Sequence, residues 1–176
     1  MGFYIFGGMK SNGKETNELF FFRPHPKNIV DDCILDESII ECVKPNISGK
    51  PPIPRCEHSA TLILNKYLVI YGGVNESLKD VTGQKCVNDI VLLNLHIYQW
   101  ETLTSFGDYP EGRWNISLYS LNNRIILFGG MSESGESDEK LYILDIIVVD
   151  SFSNYSQKNN ISLKKVEDIK EYKMNI

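Results

Sequence analysis

The chain lacks most of the local patterns from which chemistry is usually read. No Gly-x-Gly-x-x-Gly or Walker spacing leads into a helical pattern, which excludes a phosphate-cradling loop of either kind. Its four cysteines, Cys33, Cys42, Cys56 and Cys86, show no C-x-x-C spacing, and the three histidines, His25, His58 and His96, do not complete a zinc pattern with them. Cofactors and metals are therefore not expected. A basic excess is also missing: the net charge is −5 and the pI about 5.2, with Lys and Arg clustered only in the tail, so nucleic acid is not an expected partner. No apolar run reaches the roughly 18 residues of a membrane span, and no basic segment followed by a long apolar one opens the chain. Cytoplasmic residence with free thiols is the expectation. Asn-x-Ser sequons at Asn46, Asn75, Asn115, Asn154 and Asn160 carry meaning only on a secretory route, and otherwise follow from an Asn- and Ser-rich composition.

What the chain does have is an internal repeat. "FYIFGG" at Phe3 to Gly8 returns as "LVIYGG" at Leu68 and as "IILFGG" at Ile125. Upstream of the second and third glycine pairs stand "PRCEHSATLIL" from Pro54 and "GRWNISLYSL" from Gly112, so that Arg55 aligns with Arg113, Ser59 with Ser117 and His58 with Ile116. Downstream come polar loops, Met9 to Thr16, Val74 to Val87 and Met131 to Glu139, with the composition of exposed turns. Apolar runs follow from Asn17, Asn88 and Glu139. Trp100 and Cys42 fall in the same slot of a fourth run in the second and first units. Each unit thus reads as a four-stranded antiparallel meander without helical periodicity. The second run is apolar on both faces, so each sheet must be covered on both sides. Radial packing of sheets as a propeller satisfies this, and the repeat disfavours a sandwich.

The unit from Pro51 to Leu103 resembles a kelch repeat: a Pro-Arg opening, a His-Ser-small first strand, a double glycine closing the second, Asn-Asp-apolar on the third and Trp on the fourth. The third unit keeps Arg113, Ser117, Gly129, Gly130, Tyr142 and Asp145 but has Ile116 in the histidine slot, and the first keeps Gly7, Gly8 and Asn17. The resemblance implies an all-β, partial kelch-type β-propeller of about three four-stranded antiparallel blades, the first lacking its inner strand. The blades fall at about 3–45, 54–104 and 113–150, and 151–176 is an irregular tail or a final outer strand. Paired glycines suit strand ends with positive φ and close backbone approach. Trp100 is expected to pack against the next blade. Because three blades do not close a ring and "FYIFGG" reads as a second strand without a first, the chain is expected to belong to a longer product, to self-associate through open blade edges, or to be poorly stable alone.

Candidate chemistry is sparse. In an extended strand His58 and Ser59 point to opposite faces, so they cannot act together as base and nucleophile, and His58 reads as a histidine bonded to nearby backbone. Arg55 and Arg113 open inner strands and are candidates either to line a central channel or to pair with a carboxylate. Copper oxidases and sugar-ring epimerases exist among kelch-like propellers, but their sites do not carry over to these residues. Loops on a rigid scaffold are where binding concentrates. Asn75, Glu76, Lys79, Asp80, Tyr109, Glu133, Glu136 and Asp138 lie on loops expected to share one propeller face. The expected function is that of a non-catalytic, adaptor-like module binding another protein through that face. The alternative is a regulatory or substrate-binding portion of a larger enzyme such as a Ser/Thr phosphatase.

Overall fold

The computed structural model describes residues 2–24, 29–30, 33–34, 40–101, 104–106, 110–137, 140–149 and 160–165. The first sheet contains β1 (Phe3–Phe6), β2 (Leu19–Pro24) and, beyond a small hairpin of β3 (Ile29–Val30) and β4 (Cys33–Ile34), β5 (Ile40–Val43), in the order β1-β2-β5. The second is a meander of β6 (Ser59–Ile63), β7 (Tyr67–Tyr71), β8 (Ile90–Asn94) and β9 (Gln99–Glu101), with a short helix α1 (Glu76–Thr82) between β7 and β8. The third places β10 (Thr104–Phe106) outside a meander of β11 (Arg113–Leu121), β12 (Arg124–Ser132), β13 (Leu141–Val149) and β14 (Asn160–Lys165). There β10 runs parallel to β14, and the other pairings are antiparallel. The result is an all-β, unclosed arc of propeller blades, and among the described residues the first sheet has three strands in the order β1-β2-β5.

Strand alternation explains the continuous apolar runs. Successive residues of β7 point to opposite faces, and all five are buried. Leu68 and Ile70, with Leu93 and Trp100, meet Phe6 and Leu19 of the first sheet. Tyr67, Val69 and Tyr71, with Ile63 and Leu92, meet Ile116, Ile125, Leu127 and Leu144 of the third. Each such side chain contributes about 1.5–3 kcal/mol through its burial. The middle sheet is therefore held between two apolar layers.

Two expectations are corrected. Trp100 packs on the preceding sheet, its ring edge-on to Phe6 at 5.6 Å, not on the following one. The register decides this: Trp100 sits opposite Leu93 and Leu93 opposite Leu68, so all three share the face toward the first sheet. The segment Val74 to Val87 is not wholly loop, since α1 occupies its middle.

The glycine pairs act as expected at the joints. Gly72 has φ +68, and a Cβ there would stand 2.4 Å from the Arg113 carbonyl oxygen. Gly7 has φ +65 and would meet the Arg55 carbonyl at 2.7 Å. Beside them Gly8 N–H donates to the Arg55 carbonyl at 2.8 Å and Gly73 N–H to that of Arg113 at 2.9 Å. The first and second blades are thus each bonded through the second glycine to the opening arginine of the next.

Candidate functional site

The loops between second and third strands are tied to one another. In the second blade Asn75 caps α1: its Oδ1 accepts the Leu78 N–H at 3.1 Å, and its Nδ2 donates to the Pro54 carbonyl at 2.6 Å. Gly83, in the left-handed region at φ 78, ends the helix with its N–H on the Lys79 carbonyl. The helix buries none of its own residues, and Val81 is 82% exposed. The loop that carries it is held from both sides. Glu15 of the first blade accepts the Glu76 N–H at 3.0 Å, and Glu133 of the third accepts the N–H groups of Lys85 and Cys86 at 3.0 and 2.8 Å. Lys85 lies over the Trp114 ring and pairs with Glu76 at 3.3 Å.

These contacts set the electrostatics. Hydrogen bonds from the Cys86 side chain and backbone hold the Glu133 carboxyl below its ordinary range. Burial, and then the same carboxylate, pushes the Cys86 thiol up to about 12, and burial raises Cys56. Neither thiol has the lowered pKa of a reactive cysteine. Among the described residues, no group of three or more His, Cys, Asp or Glu is placed to hold a metal ion.

The sequence candidates separate into two groups. Glu76, Lys79, Asp80 and Glu136 are exposed on this face. Asn75 is 6% exposed with both ends of its amide bonded internally, and Glu133 grips backbone of the second blade, so both serve the scaffold. Tyr109 and Asp138 lie outside the described residues. Sequence reasoning passed over Glu15, Lys85 and three exposed apolar side chains: Val81, and Met9 and Met131, which are 58% and 39% exposed. The last two directly follow glycine pairs in the first and third units, where the second unit has the buried Val74. That alignment was the available signal.

Arg55 and Arg113 are 0% and 4% exposed. Arg55 Nη2 donates to Asp89 Oδ2 at 2.8 Å, and Nη1 donates to Asp89 Oδ1 and to the Gly72 carbonyl. Its Nε reaches the Ile53 carbonyl at 3.2 Å. Arg113 repeats the carbonyl contacts, Nε to Glu111 and Nη1 to Gly129, each at 3.2 Å, and lies 5.8 Å over the Tyr142 ring. Of the two alternatives for Arg55, the structure shows the carboxylate pair. His58 packs edge-on to Phe6 at 5.3 Å. Burial, and then the nearby Arg55 charge, lowers its pKa to about 4. Ser59 donates to the Ile116 carbonyl of the next blade.

Comparison with known proteins agrees with this architecture. A model of the KLHDC2/KLHL20/DRC7 Kelch-repeats domain matches residues 2–162. A probable serine/threonine-protein kinase of Dictyostelium discoideum is 31% identical over 73% of this chain, which covers 8% of that protein. Tip elongation aberrant protein 1 of Schizosaccharomyces pombe is 28% identical over 72% of the chain and 10% of its own length. Human host cell factor 1 is 34% identical over 54% of the chain and 5% of its own length. The chain thus spans about a tenth or less of these relatives. The solved structure of YjhT superposes with a TM-score of 0.57 at 16% identity, over 96% of this chain and 49% of that one, and is alike in fold.

Proposed function

Because the chain belongs to the kelch-repeat family, whose domains are typically protein-interaction modules, we propose that it binds another protein through the face formed by the loops between second and third strands. The observation that carries this reading is the cross-bonding of the three loops. Glu15 bonds the first residue of α1 and Glu133 the loop that follows it, while the helix buries none of its residues and presents Lys79, Asp80 and Val81 outward. An exposed helix of seven residues is marginal alone and is supported here by caps and neighbours. Such a surface is ordered before any partner arrives, which lowers the entropic cost of binding. Met9 and Met131 add flexible apolar contact area beside the charges. The cytoplasm remains the compartment we propose.

The test is capture from lysate with the tagged chain and with a Lys79→Glu/Asp80→Lys/Val81→Asp variant, identified by quantitative mass spectrometry. The reading expects specific partners lost with the variant while thermal unfolding is unchanged. Identical capture by both would overturn it. A second reading, a regulatory portion of a larger enzyme, is favoured by the similarity to a probable serine/threonine-protein kinase. It expects a catalytic domain, or the phosphatase of the sequence expectation, among the captured proteins or elsewhere on the same polypeptide.

A further inference from the structure

The strand at the rim of a sheet presents one row of N–H and C=O groups that a strand of another molecule can take. In the second blade that row is occupied from within the chain. Beyond β5 the backbone continues toward the loop face, and Ser48 lies beside Gln99 of β9 in a parallel bridge. Ser48 N–H donates to the Tyr98 carbonyl at 2.9 Å, and Trp100 N–H donates to the Ser48 carbonyl at 3.0 Å. The third blade repeats the arrangement: β10, which follows β9 in sequence, pairs in parallel with β14, Thr104 opposite Ser162 and Phe106 opposite Lys164. The parallel sense follows from the meander. A fourth strand runs toward the loop face, the chain leaving it keeps that direction, and the fourth strand of the next blade runs the same way. Two features hold the first of these segments down. Ile47 packs against the apolar layer that contains Phe6, Leu93 and Trp100. Gly49, at φ +82, passes so close to β9 that a Cβ there would stand 2.7 Å from the Trp100 carbonyl oxygen. Prolines at 45, 51, 52 and 54 bound the segment and have no N–H to offer, so it does not in turn present a long pairing edge.

We propose that residues 46–49 and β10 are edge straps, by which the segment leaving one blade closes the rim of the next against strand addition from another molecule. This goes beyond the loop-face reading and does not depend on it. The two straps come from different parts of the sequence, run in the same direction and settle on the same strand of their blades. The groups that Ser48 takes, the Tyr98 carbonyl and the Trp100 N–H, are those that β9 turns away from β8. Lifted off, the strap would leave them as a template, and its own geometry describes the strand that would fit: extended, parallel to β9, with an apolar side chain in the place of Ile47. The strap keeps that place filled from within the chain.

Gly49→Val in the full chain tests this, with Gly13→Val as the control, because Gly13 has a similar φ of +74 and nothing within 4 Å of an added Cβ. Amide hydrogen exchange by NMR should show the Trp100 N–H exchanging about tenfold faster in Gly49→Val than in wild type or the control, with the amides of β7 unchanged. Light scattering over a concentration series should then show faster assembly of Gly49→Val than of either. Gln99→Lys in the same background should return assembly to the wild-type rate, since charge on an edge strand opposes pairing. An unchanged Trp100 amide, a freed amide without faster assembly, assembly that rises equally in the control, or assembly that persists with Gln99→Lys would each overturn the proposal. Where circular dichroism shows Gly49→Val to be unfolded, Ile47→Ser takes its place, withdrawing the anchor of the strap, and the same outcomes decide.

Discussion

Replacing Arg55 by Ala should be among the most damaging single changes in this chain. The side chain is fully buried and makes four hydrogen bonds, two to Asp89 and two to the Gly72 and Ile53 carbonyls. Its removal loses the packing of the stem, leaves carbonyls without their donor and leaves Asp89 unpaired. Breaking a buried ion pair from one side costs about 3–5 kcal/mol. Asp89 is 43% exposed and regains water, which moves the expectation to the lower end, about 3 kcal/mol. For a chain of this length that corresponds to a fall in Tm of roughly 6–12 °C. Asp89→Asn, which keeps an acceptor and removes the charge, should cost about 1–2 kcal/mol. Urea unfolding of the two variants with matched m-values is the assay. A loss below about 1 kcal/mol for Arg55→Ala, or a loss for Asp89→Asn as large as that for Arg55→Ala, would refute the buried guanidinium and its hydrogen bonds as the source of the effect.

Gly72→Ala should cost about 3 kcal/mol or more, combining the penalty of positive φ with a collision on the Arg113 backbone, whereas Gly129→Ala should cost only the conformational part, about 1–2 kcal/mol; thermal melts of both separate the two terms. His58 should make stability pH-dependent. Its folded pKa of about 4 lies below the ordinary 6.5, so the unfolded chain binds the extra proton between these values. The contribution is complete above about pH 6.5 and is lost as pH falls toward 4, on the order of 2 kcal/mol, and His58→Phe should flatten the Tm profile across that window. Glu133→Ala should lower stability by about 1–2 kcal/mol through the freed Lys85 and Cys86 N–H groups, while Glu136→Ala should stay within about 0.5 kcal/mol of wild type in the same urea titration.

The blade pattern was legible because it is written in residues whose roles are local. A glycine pair ends each second strand, an arginine opens each first strand, and double-sided apolar runs declare that both faces are covered. The side on which a face is covered is another matter. Trp100 was assigned to the following blade because alternation says only that it shares a face with Leu93, and handedness of the arc is needed to say which neighbour lies there. Helix α1 escaped notice because it has no apolar stripe; its marks were the cap residues Asn75 and Gly83, which look the same in a loop. The partner of Arg55 stands 34 residues away in sequence, across two strands, where no short-range rule operates. Asn75 drew attention as a polar loop residue, yet polarity at a helix start is often spent on capping, and burial alone distinguishes the two uses. The loop-face candidates rest on topology, whereas the acids that tie the loops together act across blades and leave no spacing signature.

The carboxylates of Glu15 and Glu133 have a consequence for how this surface can change over time. Each sits in the loop of one blade and satisfies backbone donors in the loop of another. Lengthening or shortening any one of the three loops would withdraw an acceptor from its neighbour or a donor from itself. The loops are therefore not free to diverge one at a time. Sequence change on this face is most accessible through side-chain replacement at Lys79, Asp80, Val81 and Glu136, which are exposed, with loop lengths preserved as a set.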